Sequence, residues 1–505
     1  MISTSAVSEC YQSLKTYCHQ ICGDVLTLLR PSRMTKLAIM ASYPFCLYGY
    51  DIAVLRASGS IVADLGLSKN QMAVYAAGLS NGGYALGALV AGGAANWLCG
   101  RRYFLGCGGG LYVVGAVLVA FTDDWVASMC GRALSSFGVG MGLLVGPIFI
   151  AETAPSTTRG YHGAIPQVLM MAGAASAYVL ESALLWAPSH IAWRVSLGIT
   201  ALPTALFVYY ALFRLTAADD TPCWQFMFGK LASAERQMEL CGATGTEPYT
   251  RREQLERVAG FPMFAIVNSS HVEAFPRRIP GCWAQLKERG RPHLRDMFAT
   301  SALLVAQEAT CEERRTLVHF VPTLLIRNGG LTSRLASSIA GLMLAVIKLL
   351  TTLASMEAAS WSMAGRKELL LVSIGVAGCA LGSLSGTTFA DAHGRLDGGT
   401  TFALCCLELV VLEAGIAFGL GPIPWMYGPE VFPLAVRAPS LALCLTLKFA
   451  VAMLVDMTLP LLYPTSTEGV WVRFLVACGV TVVSFLVSCR VVRKTTCRVL
   501  MDEPE

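Results

Sequence analysis

Twelve apolar stretches dominate this chain and settle most of its architecture: residues 36–57, 71–95, 103–122, 125–151, 163–186, 193–215, 297–325, 334–356, 368–389, 400–428, 439–463 and 470–492. A helix of about 20 apolar residues spans the ~30 Å of hydrocarbon in a bilayer. Lipid offers no partner to open backbone N–H and C=O groups, so segments of this kind cross it as helices. Charged residues make up only 14% of the 505, against about 25% in soluble globular chains. That excludes an ordinary soluble, a disordered or a nucleic-acid-coating protein, and makes the bilayer a partner. Glycine and proline recur inside the stretches (Gly106, Gly108, Gly109, Gly110, Pro147, Pro166, Pro422, Pro424). In a membrane small residues let helices approach closely, and proline permits bends.

Six stretches precede a polar region near 216–296 and six follow it. Cations mark one side. Lys15, Arg30 and Arg33 precede the first stretch, and Arg101 and Arg102 follow the second. Arg159 follows the fourth, Arg251, Arg252, Arg257, Arg277 and Arg278 lie in the central region, and Arg493, Lys494 and Arg498 follow the twelfth. The opposite loops carry Asp123, Asp124 and Asp391. By the positive-inside rule both termini and the central region face the cytoplasm. The expected layout is a tail (1–35), a first bundle (36–215), a cytoplasmic loop with short helices (216–296), a second bundle (297–492) and a tail (493–505). The first 30 residues lack an apolar region ending in a small-residue cleavage site, so no cleaved signal peptide is expected.

The halves repeat one another. "CGRRYFL" follows the second stretch and "AGRKELLL" the eighth; "AETAPSTTRG" follows the fourth and "GPEVFPLAVRA" the tenth. In the last two an acid precedes an arginine by the same spacing, Glu152 to Arg159 and Glu430 to Arg437. An internal repeat of this kind marks transporters that rock two bundles about a site at the bilayer midplane. Neither a Walker loop nor a filter-like repeat supports a pump or a channel.

Taken in order, these pieces resemble the sugar porter family of the major facilitator superfamily: Tyr48-Gly49-Tyr50-Asp51, Gly100-Arg101-Arg102, Gly131-Arg132, Glu152 with Arg159, Gln167, Trp193-Arg194, Asp220-Thr221-Pro222 with Trp224, Gly365-Arg366-Lys367, Gly421-Pro422-Ile423-Pro424-Trp425, and Glu430 with Phe432-Pro433 and Arg437. The resemblance runs from about residue 36 to 500. It implies an all-α, polytopic fold of twelve transmembrane helices in two pseudo-symmetric six-helix bundles. It implies a carrier of a small polar solute, a sugar or a polyol, working by alternating access.

Asp51 and Arg132 lie inside apolar helices. Ionisable groups at such depth cost roughly 2.5–3.5 kcal/mol on insertion scales and are functional by default. A carboxylate and an arginine whose separation changes between two states can take up and release a proton. The resemblance implies the same role, proton coupling, for this pair. A static buried pair is the plain alternative. The glycine–arginine loops suit latches, since arginine forks pair with carboxylates and with helix C-termini. Arg101, Glu152 and Arg159 are expected to form one cluster, and Arg366, Glu430 and Arg437 its counterpart. The family's aspartate–arginine pair before each glycine is replaced here by Trp97-Leu98 and Ser362-Met363, which leaves the latch incomplete.

Gln167 and Trp425 match family sugar-contact positions. A glutamine amide both donates and accepts, and an indole offers a flat apolar face with one N–H. The seventh stretch departs from the family. Aligned on Pro322, Ala309 and Thr310 stand where the family has paired glutamines, and Arg315 where it has an asparagine; Lys448 stands at a second asparagine in the eleventh. Lys348, Glu408 and Glu413 add further charges. The substrate-binding set is therefore Gln167, Trp425, Thr310, Arg315 and Lys448. Three readings stay open. The charges pair internally across a broken seventh helix, with Glu312 or Glu413 against Lys448 as examples; or Arg315 and Lys448 bind an anionic or amino-acid-like solute; or transport is lost and the chain senses nutrients. The first is preferred, since Glu312 to Arg315 are consecutive and cannot share one helix face, and the short tails count against the last. His319 is expected to be a packing histidine.

No nucleophile–base constellation marks an enzyme, and no cofactor is implied. The 18 cysteines lie in apolar runs or in cytoplasmic regions where thiols stay reduced. Cys18, His19 and Cys22 lack convincing zinc-ligand spacing. The expected partners are the solute, protons and lipid, with no nucleic acid. The chain is expected to be a multi-pass monomer of the plasma membrane.

Overall fold

A computed structural model of the chain describes residues 31–57, 78–94, 100–155, 158–215, 219–227, 230–241, 293–311, 333–360, 366–462 and 467–492. Among them there is no strand. The helices are α1 (Arg33–Ala57), α2 (Leu79–Ala94), α3 (Arg101–Phe121), α4 (Trp125–Thr153), α5 (Arg159–Ala183), α6 (Ser189–Gly198), α7 (Ala201–Tyr209), α8 (Pro222–Met227), α9 (Leu231–Leu240), α10 (Leu294–Cys311), α11 (Ser333–Ser360), α12 (Arg366–Ala392), α13 (Gly398–Gly415), α14 (Ile423–Val431), α15 (Leu434–Leu462) and α16 (Thr467–Val491). Among the described residues ten helical runs are long and apolar enough to cross a membrane. The two expected stretches missing from that number are represented by α2 and by α10, whose continuations lie outside the described residues. The short helices α8 and α9 fall in the polar central region.

Side chains such as Phe121, Leu202, Phe213, Leu350, Leu407 and Val483 are exposed on the outer surface. A soluble protein avoids contiguous apolar surface of this extent, whereas hydrocarbon is its natural solvent. Inside, the helices approach closely at glycine. A β-carbon on Gly49 would collide with the Met170 carbonyl, and one on Gly173 with that of Cys46. These two contacts let α1 lie directly against α5, the geometry small residues permit in membranes.

Packing sorts the helices into two groups. In the first, α1 packs on α5 and α4, and α4 on α2 and α3; in the second, α12 packs on α16 and α13, and α10 on α15 and α16. The most extensive contacts between the groups are α5 with α11 and α2 with α15. The repeat relates the second stretch to the eighth and the fifth to the eleventh, so these junctions are pseudo-symmetric equivalents of each other.

The tenth stretch is not one helix. It runs as α13, a π-helical turn at Ile416–Leu420, and α14. Pro424 has no N–H to give the Leu420 carbonyl four residues back. In lipid that carbonyl needs another donor. Gln307 Nε2 of α10 donates to both Leu420 O (3.2 Å) and Gly421 O (2.8 Å), and Ser373 Oγ of α12 receives the Leu420 N–H at 2.8 Å. The break is thus held in place by side chains from two other helices.

Candidate functional site

Asp51 sits in α1 and is 1% exposed. Arg132 of α4 faces it, Nη1 to Oδ2 3.2 Å. Tyr112 of α3 donates to Asp51 Oδ1 at 3.1 Å, and Tyr84 of α2 to Oδ2 at 3.4 Å. The Tyr112 hydroxyl is also 3.0 Å from Thr200 Oγ1. The Thr200 hydroxyl donates to the Leu197 carbonyl at 3.2 Å, so the single Tyr112 proton is shared between Asp51 and Thr200. Arg132 Nε donates to Ser80 Oγ at 3.2 Å. Four helices therefore converge on one carboxylate that no water reaches, with a guanidinium and two phenols as its partners.

Gln167 of α5 and Trp425 of α14 are both buried, 3% exposed each. A β-carbon on Gly421 would lie 3.0 Å from Gln167 Nε2. Glycine there admits the amide to the helix break, one turn from Trp425. Gln167 Oε1 and Trp425 Nε1 have no hydrogen-bond partner among the described residues. Leaving a buried polar atom unpaired costs about 1–3 kcal/mol, so both atoms are candidates for contact with a ligand. Phe45 meets the Trp425 ring edge-on at 4.8 Å.

Lys448 of α15 is 2% exposed, and its Nζ stands 4.3 Å from the Trp425 ring centroid, over the face. It pairs with Glu308 Oε2 at 3.5 Å and donates to Gln307 Oε1 at 3.5 Å. Lys348 of α11 pairs with Glu413 of α13, both buried. These two lysines of the second group thus pair internally, though with partners other than the examples drawn from sequence. A cavity of ≈ 50 Å³ adjoins the Lys348–Glu413 pair and is otherwise lined by residues such as Gly49, Met170, Tyr178 and Gly341. It lies between α1, α5, α11 and α13, at the junction of the two groups. Thr310 is buried, and its hydroxyl is spent on the carbonyls of Ala306 (2.9 Å) and Gln307 (3.0 Å) of its own helix. Arg315, Glu312 and His319 lie outside the described residues.

The arginine-rich end holds a second charged cluster. Glu152 Oε1 receives Arg101 Nη2 at 3.1 Å and Arg437 Nη1 at 3.4 Å, one arginine from each group of helices. Arg366 pairs with Glu430. Arg159 donates to Ala154 O at 3.2 Å and lines a small cavity with Glu430. Beside Glu152, the Asp220 carboxyl abuts Gly100 and accepts from the Thr221 amide at 2.8 Å. Burial pushes that carboxyl up to about 6, against the pull of the Thr221 amide and of Arg101. Burial likewise pushes the Cys223 thiol up to about 12, so it carries no thiolate at neutral pH. Cys223 Sγ lies 3.9 Å from the Glu152 carbonyl. Among the described residues no group of His, Cys, Asp and Glu side chains could hold a metal ion.

Sequence reasoning overlooked Gln307, Glu308, Tyr84 and Tyr112. The first two are a polar doublet in an apolar stretch. Tyrosines in apolar helices read as packing, and nothing in their spacing distinguishes the two that reach Asp51.

Residues 37–504 match a family model described as sugar (and other) transporter. Polyol transporter 5 of Arabidopsis thaliana is 28% identical over 476 residues, covering 93% of this chain and 85% of the relative. Putative polyol transporter 1 of the same plant is 29% identical over 426 residues, 83% of this chain and 81% of the relative. Among solved structures, the proton:xylose symporter XylE bound to 6-bromo-6-deoxy-D-glucose aligns with TM-score 0.74 at 18% identity, over 93% of this chain and 97% of that one. The human organic anion transporter MFSD10 aligns with TM-score 0.54 at 13% identity, over 91% and 99%. At such identities both speak for the fold, an all-α polytopic one of the major facilitator type.

Proposed function

The chain belongs to the sugar transporter family, and on that premise we propose that it carries a small polyhydroxylated solute, a sugar or polyol, across a membrane by alternating access, coupled to protons through Asp51 and Arg132. The family places it among multi-pass membrane carriers rather than enzymes. The observation that carries the solute reading is the pair of unpartnered buried atoms, Gln167 Oε1 and Trp425 Nε1, at the helix break beside Gly421. A hydroxyl both donates and accepts, so one polyol supplies what each atom lacks. Relatives named polyol transporters and a structural neighbour named a proton:xylose symporter favour the same solute class. Lys448 completes the binding set; Thr310, its hydroxyl bonded back to its own helix, contributes packing.

The two bundles span 36–215 and 297–492 and rock about the α5–α11 and α2–α15 junctions. The cluster of Arg101, Glu152, Arg159, Arg366, Glu430 and Arg437 closes the cytoplasmic end while the solute enters from outside. Both termini and the 216–296 loop face the cytoplasm, supported by the distribution of lysine and arginine. The carrier acts as a monomer in the plasma membrane. An anionic solute is less favoured, because Lys448 and Lys348 already have carboxylate partners.

Counterflow into proteoliposomes tests the reading, with labelled hexoses, hexitols and inositol as solutes. At least one is expected to exchange, and Gln167→Ala or Trp425→Ala to cut its rate by an order of magnitude or more. Exchange of organic anions alone would falsify it.

A further inference from the structure

The ammonium of Lys448 stands over one face of the Trp425 indole. It stands 4.3 Å from the indole centroid, with the Phe449 ring at 5.3 Å and the Tyr48 ring at 5.8 Å. A desolvated ammonium over an indole is a favourable pairing. Two acceptors tether it there, Glu308 Oε2 and Gln307 Oε1, each at 3.5 Å. Gln307 is itself fixed by donating to the Leu420 and Gly421 carbonyls. Lys448 is 2% exposed and its carboxylate partner 18%, so Glu308 is the more accessible member of the pair.

A pyranose and an open-chain polyol ask different things of such a site. A pyranose buries a flat C–H face, which needs an unoccupied aromatic surface. An open chain has no such face but presents hydroxyls in series. An ammonium only donates and a carboxylate only accepts. Each hydroxyl of an open chain can accept from one and donate to the other, bridging the pair without dislodging the ammonium from the ring.

We propose that Lys448, held over Trp425 by Glu308, is a specificity-determining residue that shuts the indole face to pyranose rings and makes open-chain polyols the preferred solutes. This rests on the reading of the chain as a carrier of polyhydroxylated solutes.

The test is uptake of labelled sorbitol and labelled glucose in cells lacking both activities, for the native chain and for the E308Q/K448Q double variant. The double variant removes both charges, so that neither is left bare. The native chain is expected to prefer sorbitol by about tenfold or more in kcat/KM, and the double variant to move that ratio toward glucose by about tenfold, the scale on which pocket contacts discriminate between substrates. A native chain that takes glucose as well as sorbitol overturns the inference, as does a double variant that transports with an unchanged ratio. Should the double variant fail to reach the surface, competition of unlabelled glucose and sorbitol against native uptake of either label decides the same question. A native chain that moves neither solute overturns the inference too, while the wider reading stands or falls separately with the counterflow panel of hexoses, hexitols and inositol.

Discussion

Arg437 reaches from one group of helices to Glu152 of the other, Nη1 to Oε1 3.4 Å, and meets a carboxylate already paired with Arg101. One acid thus ties both halves together at the arginine-rich end. Removing one partner of a buried ion pair costs about 3–5 kcal/mol, since the remaining charge is left bare.

Glu152→Gln keeps the shape and removes the charge. It is expected to lower the thermal midpoint in detergent and to loosen this end of the molecule. Cys223 lies buried directly behind the Glu152 carbonyl. Its labelling by a maleimide should therefore rise severalfold in the variant. Labelling as slow as in the native chain would show that the cluster does not hold the end closed.

Asp51→Asn removes the one carboxylate on which Arg132, Tyr112 and Tyr84 converge. Accumulation driven by an inward proton gradient should disappear while solute exchange at equal pH persists. Tyr112→Phe removes the hydroxyl contacts to Asp51 and Thr200, each worth about 1 kcal/mol, and should weaken accumulation without abolishing it. Undiminished gradient-driven uptake in the asparagine variant takes Asp51 out of the coupling.

Gln307→Leu strips the donor from two carbonyls at the helix break. Each unpaired buried acceptor costs about 1–3 kcal/mol, so the variant is expected to unfold at a clearly lower temperature. Its solute affinity should fall as well, because Trp425 and Gly421 are placed by the same break. A stable variant of unchanged affinity would mean that the π-helical turn needs no side-chain support.

Asp220 predicts a pH dependence of stability. Its carboxyl titrates near 6 in the folded chain and near 3.9 when unfolded. The folded form therefore holds the proton more tightly. The stabilisation is complete below the unfolded value and is lost as pH rises through about 6. From pH 7 to pH 5 this group alone should stabilise the fold by about 1 kcal/mol. Asp220→Asn should flatten that slope in melting curves taken across the range.

The membrane-spanning architecture was legible because hydrocarbon thickness fixes how long an apolar run must be, and because the halves carry the same polar signals at the same places. The Asp51–Arg132 pair was legible for a related reason: a charge inside such a run has to find its counterpart. The ends and interruptions were less so. The tenth stretch reads as a continuous apolar run, yet Pro424 withholds one N–H and the helix breaks at Ile416–Leu420. The identity of Lys448's partner was hidden for another reason. Glu308 and Glu413 are equally acidic in sequence, and which one faces which lysine depends on helix rotation and tilt, set by packing between segments distant in the chain.

Lys348 and Glu413 cancel one another within a single bundle. Neutralising either by itself strands a formal charge among apolar neighbours, whereas replacing both at a stroke leaves an uncharged, still packable interior. Mutational paths through these two positions are therefore narrow. Related chains should show the lysine and the glutamate arriving or vanishing in tandem, and a solitary survivor should be found only where a new counter-charge has appeared nearby.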